Sequence, residues 1–501
     1  MSSFEIDLNP SELVQFLEKP ARDFTRNDIV LFCEKKNIEM VNFRYVAEDG
    51  RLKTLNFAIT SKHYLETILT HGERVDGSSL FSSIDPGNSD LYVEPRYRTA
   101  FLNPFAGVPT LDIFCSFYTS EGKPLESDPH YVLRKASEEF TRETGYDFLA
   151  MGELEYYVFA PREEFYPGED QKGYHASEPF TKFEYIRNEA MLMLAKAGSL
   201  IKYGHSEVGC FTDGDIYYEQ HEIEFLPAPV EHAAEQIVLA KWVLRKLGHQ
   251  YGINISFAPK ILMGNAGSGM HFHIMVEKDG ENMTTSGDRL SDLTRKMIAG
   301  ILDSADALTA FGNTVPTSYL RLVPQQEAPT RICWGYSNRS VVIRVPLSWT
   351  GAGNMIRDAN PQDKSTISRS SSRQTFEYRV ADGSADIYLT LAALVVTAMR
   401  GLKMPGALEL AEKLYVDADT FRPQHRDKLA GLEKLPHSCW ESAEVLNKKR
   451  SVFEKNHIFP KELINSHVKK LESYQDKDLS EKLYGKTEEI TKLVDEFLHA
   501  G

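Results

Sequence analysis

Five segments of this chain put charge on a single face of an extended strand. Successive side chains of a strand alternate faces, so residues i and i+2 point the same way. In Met151–Phe159, Glu153 and Glu155 share a face, while Leu154, Tyr156 and Val158 take the other. Gln220–Pro227 pairs Glu222 with Glu224, and Gly269–Val276 pairs His271 with His273 against Phe272 and Ile274. Ser340–Leu347 sets Arg344 opposite Ile343 and Val345, and Phe376–Val380 pairs Glu377 with Arg379 opposite Phe376 and Tyr378. A solvated face explains any one of these strands, because half-buried sheets alternate by default. It explains the set poorly. The charges are carboxylate, imidazole and guanidinium, without lysine, and two histidines between apolar neighbours suit a wet surface badly. If the strands share one sheet, that face is a concave site.

Such a face implies chemistry. Carboxylates at this density repel one another and cannot all ionise without counter-cations. Oxygen ligands with one imidazole favour Mg²⁺ or Mn²⁺ over zinc. Arginines supply forks for carboxylate or phosphate. Metal ions and arginines together are what phosphoryl transfer requires. The GK[ST] match at Gly485-Lys486-Thr487 has Ser480 where a P-loop needs its first glycine, so a bound ATP implies a fold without a P-loop.

The chain has 501 residues, enough for two to four domains, and its 42% hydrophobic and 26% charged content is that of a globular protein. The net charge of −15 disfavours nucleic acid and anionic membranes as partners. Neither an apolar run of membrane-spanning length nor a signal pattern is present, so a cytoplasmic location is expected. The 5 scattered cysteines, without CxxC, fit reduced buried thiols.

Helical periodicity marks two short N-terminal helices, the first capped by Ser11, in residues 1–38. Strands alternating with one helix form a compact α+β unit over 39–122, closed by the turn-rich TSEGKPLESDP. A larger unit, 123–501, has helices at Tyr131–Glu143, Phe183–Lys196, Glu231–Tyr251, Leu290–Ala310 and Tyr388–Leu402. From about 405 it continues as a helical layer. Two long loops interrupt it, Pro161–Pro179 and Trp349–Gln374.

In chain order, VDGSS (75–79), MGELEYY (151–157), HSEVG (205–209), EQHEIEF (219–225), GSGMHFH (267–273), SYLRLVPQQEAP (318–329), SNRSVVIRVP (337–346) and FEYRVADGSADIYL (376–389) resemble the ordered motifs of glutamine synthetase, bacterial type I. The resemblance implies an α+β fold: an N-terminal β-grasp domain, then a catalytic α/β half-barrel with a helical C-terminal layer. It implies a homo-oligomer, a dodecamer of two hexameric rings with active sites between subunits. It implies ligation of ammonia to L-glutamate with ATP and Mg²⁺ or Mn²⁺, through γ-glutamyl phosphate.

Carried over by residue, Glu155, Glu207 and Glu222 resemble ligands of the metal nearer glutamate, and Glu153, His271 and Glu377 those of the metal at the ATP phosphates. His273 matches a nucleotide contact. Gly267, Arg321 and Arg379 match substrate-binding groups, and Arg339 and Arg344 those that neutralise phosphates. Glu327 matches a flap glutamate, and Asp76 the aspartate that a neighbouring subunit offers to ammonium. A plain reading exists for several: Arg379 as a core ion pair to Glu377, Asp76 as a turn former, Glu224 as a strand neighbour.

The sequence departs from the family pattern in places. The link from Glu207 to Glu222 is longer, Ala266 replaces an asparagine, Ile274-Met275 replaces Gln-Ser, and Thr375 stands at an arginine position, for which Arg369 or Arg373 is a candidate substitute. Tyr415 reads as a surface helix tyrosine. Two other readings remain: a γ-glutamyl ligase acting on an amine or polyamine, and a non-catalytic structural relative. Asp76 and Glu327 favour ammonia, and candidates for all six metal ligands favour catalysis.

Overall fold

A computed structural model describes residues 6–287, 289–323, 328–347, 355–363, 373–417, 431–483 and 486–501. Near the N-terminus, Ser11 caps the helix Glu12–Leu17, and Thr25 with Asp28 forms a reciprocal capping box on Arg26–Lys35. These side chains satisfy amides that a helix start leaves without partners. The next sheet runs in the order Leu52–Ala58, Met40–Val46, Thr110–Thr119, Asp90–Pro95, Glu73–Asp76. Met40–Val46 and Thr110–Thr119 are parallel and central. The helix Lys62–His71 buries Leu65, Ile68 and Leu69 in the same core. The sequence suggested only a turn at DGSS. The structure shows an edge strand, Glu73–Asp76, leading into a tight turn at Gly77–Ser79.

The second sheet has ten strands. Along its main path come Trp334–Tyr336, Ile343–Val345, Phe376–Tyr378, Met270–Lys278, Asp147–Pro161, Ile216–Phe225 and Ile201–Asp213. The strands with one charged face are five consecutive members of this path, all paired antiparallel. Their other face is the core: Leu154, Tyr156, Ile223, Phe272, Ile274, Ile343 and Tyr378 are fully buried. The helices Pro129–Thr144, Val230–Tyr251 and Ile387–Lys403 close over this apolar side within one contiguous core. Burying one face of every strand fixes the register, because a one-residue slip would turn each charged side chain into the core.

Two local expectations are corrected. The helix expected over Leu290–Ala310 is two helices, Asp292–Asp303 and Ala305–Gly312. Ser304 (φ −122°, ψ 11°) leaves helical geometry, and its carbonyl accepts from Ala307 and Leu308 to start the second helix. Tyr415 is not on a helix. Ala407–Lys413 ends first, and Val416 N donates to Trp334 O (2.8 Å), which draws Tyr415 into a bridge beside Trp334. All cysteines are buried and unpaired. Among the described residues no single helix is long and apolar enough to cross a membrane.

Candidate active site

Strand register assembles the site. Glu153 stands opposite His271 on one side and Glu224 on the other. Glu155 stands opposite Glu222, and His205 opposite Glu222 from the far strand. Glu377 stands opposite His273 and Arg344. Side chains then converge. Glu153 takes His271 Nδ1 at 3.0 Å on one oxygen and His273 Nε2 at 2.8 Å on the other. His273 Nδ1 lies 2.8 Å from Thr375 Oγ1, so the residue at the departed arginine position orients this imidazole. Glu377 is fully buried between Arg379, with which it pairs, and Arg344 Nη1 at 2.9 Å. The ion pair foreseen for Arg379 is therefore present.

The carboxylates feel these neighbours differently. Burial raises a carboxyl pKa, yet the imidazoles of His273 and His271 hold Glu153 well below the usual range. Burial works the same way on Glu377, and Arg379 overcomes it. Glu222 goes the other way, pushed well up by burial and then by Glu153, Glu155, Glu207 and Glu224. Glu224 is also raised by burial and Glu153, although Lys202 Nζ sits 2.6 Å from it. The strand neighbour is thus part of the same electrostatic cluster.

This arrangement fits divalent cations. Ligand atoms of Glu153, Glu222 and His271, of Glu153, His273 and Glu377, and of His205, Glu207 and Glu222 each lie within 4.8 Å of one another. Carboxylate oxygens with imidazole nitrogen suit Mg²⁺ or Mn²⁺, and burial with four neighbouring carboxylates raises Glu222. Glu155 is near the group, with Oε1 3.9 Å from His271 Nδ1, while Oε2 accepts from Gly269 N (2.6 Å).

Beside the acids, Arg321 is buried and fixed by main-chain carbonyls, with Nη1 2.9 Å from Val380 O and Nη2 3.3 Å from Arg379 O. Small residues make room for it. A Cβ on Gly267 would stand 2.6 Å from Pro259 O and 3.0 Å from Arg321 Cγ. One on Gly269 would stand 2.5 Å from His271 Nε2 and 2.7 Å from Arg321 Nη2. Gln220, which the sequence did not single out, ties the parts together. Its Nε2 donates to Gly267 O (3.1 Å), and its Oε1 accepts from Gly209 N (3.1 Å) at the irregular stretch that carries Glu207. Its place two residues from Glu222, on that strand's face, was the available signal.

Arg339 is exposed and offers its carbonyl to Arg379 Nε (3.2 Å). Glu327 and Arg369 lie outside the described residues. Asp76 stands apart from the catalytic sheet. Its carboxylate is exposed and accepts from Ser78 N (3.0 Å), Ser78 Oγ (2.7 Å) and Ser79 Oγ (2.7 Å). The serine hydroxyls hold its pKa far below the ordinary aspartate value.

The family description "Glutamine synthetase, catalytic domain" matches residues 126–478, and "Glutamine synthetase, beta-Grasp domain" matches 37–120. The chain belongs to the glutamine synthetase family of enzymes. It is 33% identical to the glutamine synthetase of Pyrococcus furiosus over 443 residues, covering 87% of this chain and 91% of that one. It is 30% identical to that of Thermotoga maritima over 449 residues, covering 87% and 94%. In fold it resembles the Plasmodium falciparum glutamine synthetase (TM-score 0.73, 20% identity, 93% of this chain and 97% of that one). It also resembles a protein titled GmaS, solved without ligand (TM-score 0.71, 16% identity, 90% and 97%).

Proposed function

We propose that this chain ligates ammonia to the γ-carboxylate of L-glutamate with ATP, through γ-glutamyl phosphate. The observation that carries the reading is the run of five consecutive strands whose shared face holds acids, imidazoles and arginines. A γ-carboxylate oxygen attacks the terminal phosphorus of ATP, and ADP leaves. The ammonia nitrogen then attacks the acyl carbon, and the bond to phosphate breaks, giving glutamine and inorganic phosphate.

Glu155, Glu207 and Glu222 would hold one Mg²⁺ or Mn²⁺ ion and Glu153, His271 and Glu377 another, and these ions would supply positive charge to the substrate carboxylate and the phosphates. Among the described residues Arg321 bonds main-chain carbonyls and no carboxylate, so its charge serves substrate glutamate beside Gly267 and Arg379. His273, buried and oriented by Thr375, faces the nucleotide end with Arg344. Arg339 and Glu327 act as phosphate-neutralising and shielding groups. Asp76 stays anionic, which suits it to bind ammonium by charge and help take its proton. Its carboxylate bonds within its own turn, so the reading includes a neighbouring subunit that receives it, in a dodecamer of two stacked hexameric rings, in the cytoplasm.

The intermediate makes a sharp test. Glutamate labelled with ¹⁸O in the γ-carboxylate transfers one label to the released phosphate for each glutamine made. Unlabelled phosphate would exclude γ-glutamyl phosphate. Product formed with methylamine or a polyamine but not with ammonia would replace the acceptor with an amine.

A further inference from the structure

The Ile201–Asp213 strand brings a third imidazole to the acid face. His205 Nε2 lies 3.2 Å from Glu222 Oε1, and Nδ1 lies 3.8 Å from Glu207 Oε1. Nδ1 is also 3.1 Å from the Ser206 carbonyl, which accepts only from a protonated nitrogen. With Nδ1 turned to that carbonyl, Nε2 is the ring nitrogen that faces Glu222. One ligand atom from each of His205, Glu207 and Glu222 falls within 4.8 Å of the others, the span of one coordination sphere.

The ring is also held in place. Tyr174 meets it edge-on at 5.3 Å between centroids, His175 lies at 4.5 Å and Tyr203 at 5.8 Å. Tyr174 and His175 belong to the long loop after Pro161, which docks on this strand through Gln171 N to Cys210 O (2.9 Å), Gly173 N to Val208 O (3.2 Å) and His175 N to Ser206 O (2.9 Å).

We propose that His205 Nε2 is a nitrogen ligand of the divalent ion held by Glu207 and Glu222, and that it biases this position toward Mn²⁺ over Mg²⁺. The proposal rests on the metal-dependent reading above. An imidazole ligand raises affinity for a first-row transition ion more than for Mg²⁺, a harder ion that prefers oxygen ligands and keeps its waters.

The test uses the full chain without nucleotide or glutamate. Bound Mn²⁺ is read by electron spin-echo modulation from coordinated ¹⁴N, and Mn²⁺ and Mg²⁺ affinities by calorimetry. A His271→Gln/His273→Gln double variant retains ¹⁴N modulation, and adding His205→Gln abolishes it. His205→Gln alone weakens Mn²⁺ about tenfold and Mg²⁺ by much less. Bound Mn²⁺ without ¹⁴N modulation in the double variant overturns the His205 assignment and leaves the metal reading standing. Failure of the unmodified chain to bind Mn²⁺ overturns both. If the double variant does not fold, ¹⁵N-histidine labelling of the unmodified chain counts the coordinated imidazoles at full loading. At least one on each of two ions is expected, and a single imidazole in all contradicts the proposal.

Discussion

Glu155 and Glu222 face each other across the antiparallel pairing of Asp147–Pro161 with Ile216–Phe225. Burial raises Glu222 well above its ordinary pKa, and Glu153, Glu155, Glu207 and Glu224 raise it further. A cation that neutralises them binds the folded state alone. Adding Mg²⁺ or Mn²⁺ to chelator-treated protein should therefore raise its melting temperature, by the equivalent of ~2.7 kcal/mol at a hundred times Kd. EDTA should abolish activity and zinc restore it poorly. Full activity in EDTA would remove the metal assignment.

A second ion cluster joins the two units. Arg96 and Arg98 of the N-terminal unit both bond Glu235 on the helix Val230–Tyr251, with Arg98 Nη1 at 2.8 Å. Burial raises Glu235, and Arg98 and Arg96 outweigh it, bringing the pKa to about 2 from 4.5. A depressed folded pKa contributes stability that is fully present above the unfolded value and lost as pH falls through the folded one. The clamp should thus hold above about pH 4.5 and release toward pH 2. Glu235→Gln leaves the largely buried Arg96 without its carboxylate and Arg98 with Glu231 at 3.6 Å, and should cost ~3–5 kcal/mol. Thermal melts across that pH range would show it, and an unshifted melt at pH 7 would make the clamp incidental.

Gly269 borders both His271 and Arg321. Gly269→Ala forces those side chains to move, an overpacking effect of ~1–3 kcal/mol. The expected outcome is a raised KM for glutamate and weaker metal binding in a folded protein. Steady-state kinetics with calorimetry would measure both, and unchanged values would place the substrate elsewhere.

Asp76 separates the two half-reactions. Asp76→Ala should cut ammonia-dependent turnover by at least ~10²-fold, the scale for a positioned proton acceptor. Capture of γ-glutamyl phosphate by hydroxylamine, which needs no deprotonation, should be largely kept. An equal loss of both would make Asp76 structural.

Much of the site was legible because period-two alternation is a local property. Glu153, Glu155, Glu222, His271, His273, Arg344 and Glu377 could each be assigned a face from their neighbours alone. Adjacency was not local. Nothing near Glu377 says that its strand lies between those of Arg344 and His273. His205 and Gln220 stayed hidden because one acts from a neighbouring strand and the other through an irregular stretch at Gly209. Ser304 broke an expected helix without Pro or Gly to mark it. Tyr415 left its helix through a distant bridge to Trp334.

The most direct measurement is the product. Purified chain is incubated with ATP, Mg²⁺, L-glutamate and either ammonium, methylamine or a polyamine, and the products are resolved by mass spectrometry. The account predicts glutamine and stoichiometric ADP with ammonium, and markedly less of the corresponding amides with the amines. An amide formed from an amine alone, or ATP-independent turnover, would contradict it.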